Sequence, residues 1–264
     1  MMKFSALILS LTLVSQAALA KILVISDIDD TIKVTHVLTK EGAATSFVDE
    51  TSRFAGMPEL YQLLKKSHKD IEFHYVSLAP WLLMRDKHED FLEENDFPIT
   101  KLDMNMGIKQ DPELKQKVIR KLLDKKKPEL VIYFGDNGQF DTVVYDQMVK
   151  EYPQIPHVSY IREAYSSLGE SKYPTLPGQI GFVTTVEVAI DLIQKKILPA
   201  NTYGSIEREV FKRLLRDEEG GETFGKMVFP WWQDCRDFKW QWTVENPSLQ
   251  LLAIESAIAK KCQK

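Results

Sequence analysis

The chain has 264 residues, of which 44% are apolar, 27% charged and 10% aromatic, with two Cys and a formal charge of −4. These proportions exclude a collagenous, low-complexity or disordered chain, and two cysteines are too few for a small disulfide-stapled scaffold. Mild acidity without a long basic run argues against nucleic acid as a partner, because phosphate-backbone binding needs a clustered positive face.

Residues 1–20 read as a secretory signal: Met1-Met2-Lys3 is a positive start, residues 4–14 are mostly apolar, and Ala18-x-Ala20 supplies the small side chains of a cleavage site. The alternative, a membrane anchor, is disfavoured by length, since eleven helical residues reach about 16 Å, roughly half the hydrocarbon core. Cleavage leaves 33 Lys and Arg against 38 Asp and Glu in a product expected to be periplasmic or secreted. No later stretch reaches eighteen apolar residues, so that product is expected to be soluble. In an oxidising compartment Cys235 and Cys262 are expected to form one disulfide, two buried free thiols being the alternative.

From Lys21 onward, short β-rich runs alternate with longer helical patterns, the signature of a doubly wound α/β fold with a parallel sheet. Strands are expected over 21–26, 72–77, 129–134 and 157–161. Helices are expected over 57–67, 81–94, 112–126, 142–152, 186–196 and 206–216. The near-continuous apolarity of Ile22-Leu23-Val24-Ile25 and Leu130-Val131-Ile132-Tyr133-Phe134 suits strands buried on both faces. Residues 33–55 are polar and read as a flap over the carboxyl end of the first strand. The division expected is a catalytic domain over 21–198 and an aromatic-rich extension over 199–264. In the extension Phe229, Trp231, Trp232, Phe238, Trp240 and Trp242 crowd together beside Arg236 and Lys239, which fits either a membrane contact or a packed core.

The first strand ends in Asp27-Ile28-Asp29-Asp30-Thr31, placing acids at the carboxyl edge of the sheet, where open α/β folds bind ligands. Like charges so close raise a pKa or recruit a cation. A second acidic turn, Gly135-Asp136-Asn137-Gly138-Gln139-Phe140-Asp141, follows another buried strand. If the two strands are neighbours, Asp27, Asp136 and Asp141 converge on one site of hard oxygen ligands, which favours Mg²⁺ over Zn²⁺. Each turn taken singly also reads as a plain acidic turn.

Together the segments Ser26-Asp27-Ile28-Asp29-Asp30-Thr31-Ile32-Lys33, Gly56-Met57-Pro58-Glu59-Leu60-Tyr61, Phe73-His74-Tyr75-Val76-Ser77-x-x-Pro80-Trp81, Gly135-Asp136-x-Gly138-Gln139-x-Asp141 and Tyr160-Ile161-Arg162 resemble the haloacid dehalogenase superfamily of phosphatases. Within it the chain is similar to the phosphatidate phosphatases typified by the yeast actin patch protein. The resemblance covers about residues 21–198. It departs at Asn137, where the family usually has Ser, and at Thr142, where it usually has Pro, which bears on the shape of the second loop.

The resemblance implies that Asp27 is the nucleophile, forming an aspartyl-phosphate. It implies that Asp29 protonates the leaving alkoxide and later deprotonates water, which requires a raised pKa, while its backbone carbonyl reaches the metal. Asp27, Asp29, Asp136 and Asp141 are then the Mg²⁺ residues, and Ser77 donates to a phosphoryl oxygen. Lys115 falls where the family's phosphate-facing lysine does, with Lys117 the runner-up. Thr31 is expected to fix the nucleophile loop through its hydroxyl and Asp30 to cap that turn, while His74 reads as a satisfied core residue. The function implied is an exported, Mg²⁺-dependent phosphatase acting on phosphatidate. A soluble phosphoester or nucleotide as substrate, and a non-catalytic module that docks a membrane or partner, are the alternatives.

Overall fold

A computed structural model describes residues 21–39, 52–107, 112–169, 171–218 and 225–263. The expected secretory segment and the middle of the expected flap lie outside them. The strands are β1 (Ile22–Ser26), β2 (Arg53–Phe54), β3 (Ile71–Pro80), β4 (Lys101–Asn105), β5 (Leu130–Asp136), β6 (His157–Arg162), β7 (Ile180–Phe182) and β8 (Lys226–Met227). The helices are α1 (Met57–Ser67), α2 (Trp81–Glu94), α3 (Pro112–Lys126), α4 (Asp141–Glu151), α5 (Thr185–Gln194), α6 (Tyr203–Glu218) and α7 (Leu249–Cys262).

Six strands form one sheet in the order β4-β3-β1-β5-β6-β7, with every neighbouring pair parallel. The chain moves outward from β1 through β3 to β4, then returns to pair β5 on the other side of β1. The carboxyl ends of β1 and β5 therefore meet at the topological switch point, where such sheets open a crevice for ligands.

The alternation along β1 produces two cores. Ile22 and Val24 enter a cluster with Phe73, Tyr75, Ile132 and Phe134 and with residues of α1, α2, α5, α6 and α7. Leu23 and Ile25 face the opposite side, among Val131, Tyr133 and the buried residues of α3 and α4. Both faces of the sheet are thus covered, as the apolar strand runs require.

Local signals set several element ends. Gly56 has φ 86°, a left-handed conformation that a side chain would strain, and Pro58 follows in the first turn of α1. Thr184 and Glu187 form a reciprocal capping box at the start of α5, and Ser248 caps α7.

Several elements depart from the sequence-based expectation, among them the two-residue strands β2 and β8, which pair with each other. Strand β4 is an edge strand whose charges at Lys101 and Asp103 interrupt any apolar run, and β7 is only three residues long. Strand β3 runs three residues past its expected end, with a register shift between Ser77 and Pro80. Helix α7 was hidden because exposed Leu249 and Leu252 blur its apolar stripe.

The described residues of the extension share the core of the sheet. Ile206, Val210, Leu251, Ile254 and Ile258 join the cluster that lies on β1 and β5, and the Trp242 indole donates to Asp191 of α5. A disulfide joins Cys235 to Cys262 with Cα atoms 4.7 Å apart, as expected from the sequence. Among the described residues no helix is long and apolar enough to cross a membrane.

Candidate active site

Asp27 follows β1 directly, and its amide donates to the Phe134 carbonyl of β5 at 2.9 Å, so the two strands stay paired up to the acids. Asp136 closes β5 two residues beyond Phe134, and Asp141 opens α4. Gly135 makes the return possible: a Cβ there would lie 2.6 Å from Asp141 and 2.7 Å from the Tyr145 ring. Asp27, Asp136 and Asp141 consequently each bring a carboxylate oxygen within 4.8 Å of the others, all buried.

Lys115 is brought into the cluster and Lys117 is not. The Lys115 ammonium is 2% exposed, lies 3.0 Å from Asp27 Oδ1 and also contacts Asp141 Oδ1. Lys117 points outward to Glu113 at 3.3 Å. With all three carboxylates ionised, one ammonium would leave two negative charges in a buried space, and the acids respond by holding their protons. Burial, together with Asp141 and Asp29, pushes Asp27 up to about 8 despite the pull of Lys115. Burial, together with Asp141, Asp27 and Asp30, raises Asp136 well above the carboxylate range, and burial raises Asp141 as well. Opposing burial, Asp141 and Asp27 raise Lys115, which stays charged. A divalent cation would cancel the residual charge, and an all-oxygen donor set fits a hard one.

Asp29 differs from its expectation. Its carboxylate is outside the converging trio and faces His88 Nε2 at 3.4 Å. Burial pushes its pKa up, but His88, Lys33 and Lys115 outweigh that, and the net shift is downward rather than the raised value expected of a general acid. Its backbone carbonyl remains the ligand expected for a cation.

Ser77, near the end of β3, places its hydroxyl 3.4 Å from the same His88 nitrogen while accepting from the Ala79 amide at 3.1 Å. His88 thus stands between Asp29 and Ser77, and the sequence reading missed it. It is fully buried on the face of α2 that also buries Met84, Phe91 and Leu92, a helical spacing that marks it as inward-facing. His74 is a core residue, bonded to Glu72 at 2.9 Å.

The loop after the nucleophile is fixed by groups other than those expected. The Thr31 hydroxyl is buried and has no hydrogen-bond partner, and the residue is held through its carbonyl, which accepts from Arg162 Nε at 2.8 Å. Asp30 does more than cap a turn. Its Oδ1 accepts from the amides of Thr35 and His36 and from the Thr35 hydroxyl, and its Oδ2 from the Val37 amide and the Tyr165 hydroxyl. Asp30 therefore ties the base of the expected flap to the loop after β6.

Asn137 shows what its departure from the family pattern does. Its side-chain amide donates to Glu163 at 2.7 Å and to the Tyr165 carbonyl, and its oxygen accepts from the amides of Ala164 and Tyr165. A serine hydroxyl has too few donors and too short a reach for all four bonds. The neighbouring departure, Thr142, is buried with an unpartnered hydroxyl.

The molecule is thus a parallel α/β protein with buried carboxylates and a lysine gathered at its switch point, a set of groups that could hold a metal ion. Residues 22–163, more than half of the chain, match the family model of the phosphatidate phosphatase APP1 catalytic domain, and the chain belongs to that family. An uncharacterized protein of Schizosaccharomyces pombe is 28% identical over 158 residues, covering 54% of this chain and 25% of its own length, so the match spans a quarter of that relative. Among solved structures, a chain from a Pnkp1/Rnl/Hen1 complex aligns at 18% identity and a TM-score of 0.38, covering 58% of this chain and 50% of its own. A second structure, of the Pnkp1/Rnl/Hen1 RNA repair complex, gives 18% identity and 0.37, with coverages of 58% and 46%. Both scores are low.

Proposed function

We propose that the chain is an exported, Mg²⁺-dependent phosphatase of the haloacid dehalogenase type that hydrolyses phosphatidate through an aspartyl-phosphate on Asp27. The observation that carries this reading is the placement of Asp27 against Asp136, Asp141 and Lys115 at the switch point. Membership of the phosphatidate phosphatase family supports the substrate. The apolar signal pattern of residues 1–20 and the Cys235–Cys262 disulfide support export.

In this reading Asp27, Asp136 and Asp141, with the Asp29 carbonyl, hold Mg²⁺. The cation supplies charge neutralisation between two anions, the carboxylate and the phosphoryl group. Lys115 holds Asp27 and Asp141 in place and offers its ammonium to the phosphoryl oxygens, and Ser77 donates a hydrogen bond to another. Asp27 attacks phosphorus, the P–O bond to the leaving alcohol breaks, and Asp29 delivers the proton to that alkoxide. The depressed pKa of Asp29 belongs to the site without substrate. A phosphate dianion beside it raises the pKa toward what an acid needs. Water then attacks the acyl phosphate with Asp29 as base, releasing phosphate and restoring Asp27.

Phosphate release by the purified chain from residue 21, with Mg²⁺, against phosphatidate and a panel of soluble phosphoesters tests this. Activity abolished by Asp27→Asn is expected. Turnover retained by that variant refutes the covalent step, and preference for a soluble phosphoester refutes the lipid assignment.

A further inference from the structure

The apolar surface of the molecule is unevenly distributed. Among the described residues five large apolar side chains are more than 70% exposed: Leu249 (85%), which opens α7, and a set of four, Leu82 (83%), Trp231 (82%), Met106 (76%) and Leu168 (72%). Leu82 follows the carboxyl end of β3, Met106 that of β4, and Leu168 lies in the loop after β6. Trp231 meets the ring of His36, in the loop after β1, edge-on at 5.9 Å. One exposed apolar residue means nothing by itself. These four rise from the single edge of the sheet that carries the buried acids.

The surface around Trp231 is built and held. His36 stacks on Trp232 at 4.5 Å with the rings 3° apart, and Tyr165 stacks on Trp232 at 5.3 Å. The following residues hold this stack: the Gln233 side chain donates to the Glu163 carbonyl and the Asp234 amide to the Ala164 carbonyl, both in the loop after β6, and the disulfide ties Cys235 to Cys262 of α7. A cleft of about 390 Å³ opens between Trp231, His36, Tyr165 and Gly169. Its inner wall adjoins the acid cluster. A Cβ on Gly138 would lie 2.5 Å from the Tyr165 ring and 2.9 Å from Asp136 Oδ1, so a single methyl group would touch both.

We propose that this edge is a docking face for a lipid bilayer, with Trp231 and Leu168 entering the headgroup region beside the mouth of the site. The proposal rests on the phosphatidate reading above. Trp suits the interface because its body is apolar and its N–H is polar. The occupant follows from the arrangement. The apolar groups sit on separate segments at the sheet edge that carries the acids, and a protein seated across them would cover that edge. A fluid bilayer contacts the same edge and brings a lipid phosphoester to it. This also divides the aromatic segment that the sequence left open between a membrane contact and a packed core. Trp232 is stacked in the His36–Tyr165 wall, Trp240 packs edge-on against Trp242, and the outward residue is Trp231.

The test uses the chain from residue 21 and its Trp231→Ser/Leu168→Ser variant. Both replaced side chains are exposed, so a matching melting temperature is the control for folding. Binding is read by flotation with phosphatidylcholine vesicles containing phosphatidate, and turnover by phosphate release from those vesicles and from a short soluble phosphoester. Docking predicts at least about a tenfold loss of vesicle binding and vesicle turnover, the scale expected from two large apolar side chains withheld from lipid. Soluble turnover should change by less than about twofold on the same grounds. Unchanged vesicle binding overturns the proposal, as does an equal loss on both substrates, which would make Trp231 a support of the site. Failure of the phosphatase reading looks different: wild type then releases phosphate from neither substrate while the vesicle-binding difference persists.

Discussion

Replacing Asp27 by Asn should stabilise the metal-free protein, and increasingly so as pH rises. The folded pKa of Asp27 stands at about 8 against an ordinary value of 3.8, chiefly through burial, with Asp141 and Asp29 adding repulsion. Protonation is thus favoured in the folded state. Below about pH 4 the group is protonated folded and unfolded alike, and it imposes no penalty. Above that, the unfolded chain ionises freely while the folded chain resists, so stability falls until pH passes about 8. The whole gap corresponds to roughly 6 kcal/mol, with the attraction of Lys115 already included. At this chain size each kcal/mol moves the melting temperature by about 2–4 °C. In EDTA, Asp27→Asn should therefore melt close to wild type at pH 4.5 and about 10 °C higher at pH 8.5. With saturating Mg²⁺ the order should narrow or reverse, because wild type gains a ligand that the variant binds poorly. Thermal unfolding followed by circular dichroism over that pH range measures the effect. Parallel melting curves for the two proteins in EDTA would show that the acids carry no mutual strain, and the cation-site argument would go with it.

Lys115→Met should lower phosphate release at least about 100-fold, the scale for losing one preorganised charge donor, whereas Lys117→Met should leave it within about twofold. Steady-state assays on the pair decide which lysine faces phosphate. Exhaustive chelation should abolish turnover and Mg²⁺ restore it, with Ca²⁺ a poor substitute because its larger, looser coordination misplaces the phosphoryl oxygen; full activity in chelator refutes a catalytic metal. Opening the Cys235–Cys262 loop, which spans 27 positions, by a double Ser substitution should destabilise by about 3–4 kcal/mol, read from denaturant midpoints.

What the sequence made legible was chemistry concentrated in short words. Continuous apolar runs mark β1 and β5 as doubly buried, and acids directly after them could be placed at a carboxyl edge before any coordinates. Their convergence needed only adjacency, and the pairing of Ser26 with Phe134 provides it. What stayed hidden was carried by single residues whose partners are far along the chain. Asp30 reaches Tyr165 across 135 positions, and no local pattern distinguishes such an anchor from a turn cap. His88 was recoverable from its place on the buried stripe of α2. The downward shift of Asp29 was not, because it depends on His88 and Lys33 being nearby in space. The aromatic crowding of the extension left a membrane contact and a packed core equally legible, and only the contacts made by distant residues show Trp242 donating into α5 and Ile254 and Ile258 reaching the sheet's core.

Arg162 shows why a segment that supplies no reacting group belongs to the site. It is fully buried, packed between the rings of Phe54 at 3.7 Å and Phe182 at 4.5 Å, and burial pushes its pKa down to about 9, which still leaves it charged at neutral pH. It pairs in register with Asp136 across β5 and β6, and its guanidinium donates to the carbonyls of Thr31 and Val183. One side chain therefore spans from the strand beside the second acidic turn to the loop that follows the first. Asp30 grips the far end of that loop through the Thr35, His36 and Val37 amides. Held at both ends, the loop keeps the Asp27 and Asp29 backbone fixed while the Asp27 carboxylate sits among charges that repel it. Such rigidity keeps mutually repelling carboxylates together instead of letting them swing apart into solvent, and it is what makes the cluster a ready receptor for a cation.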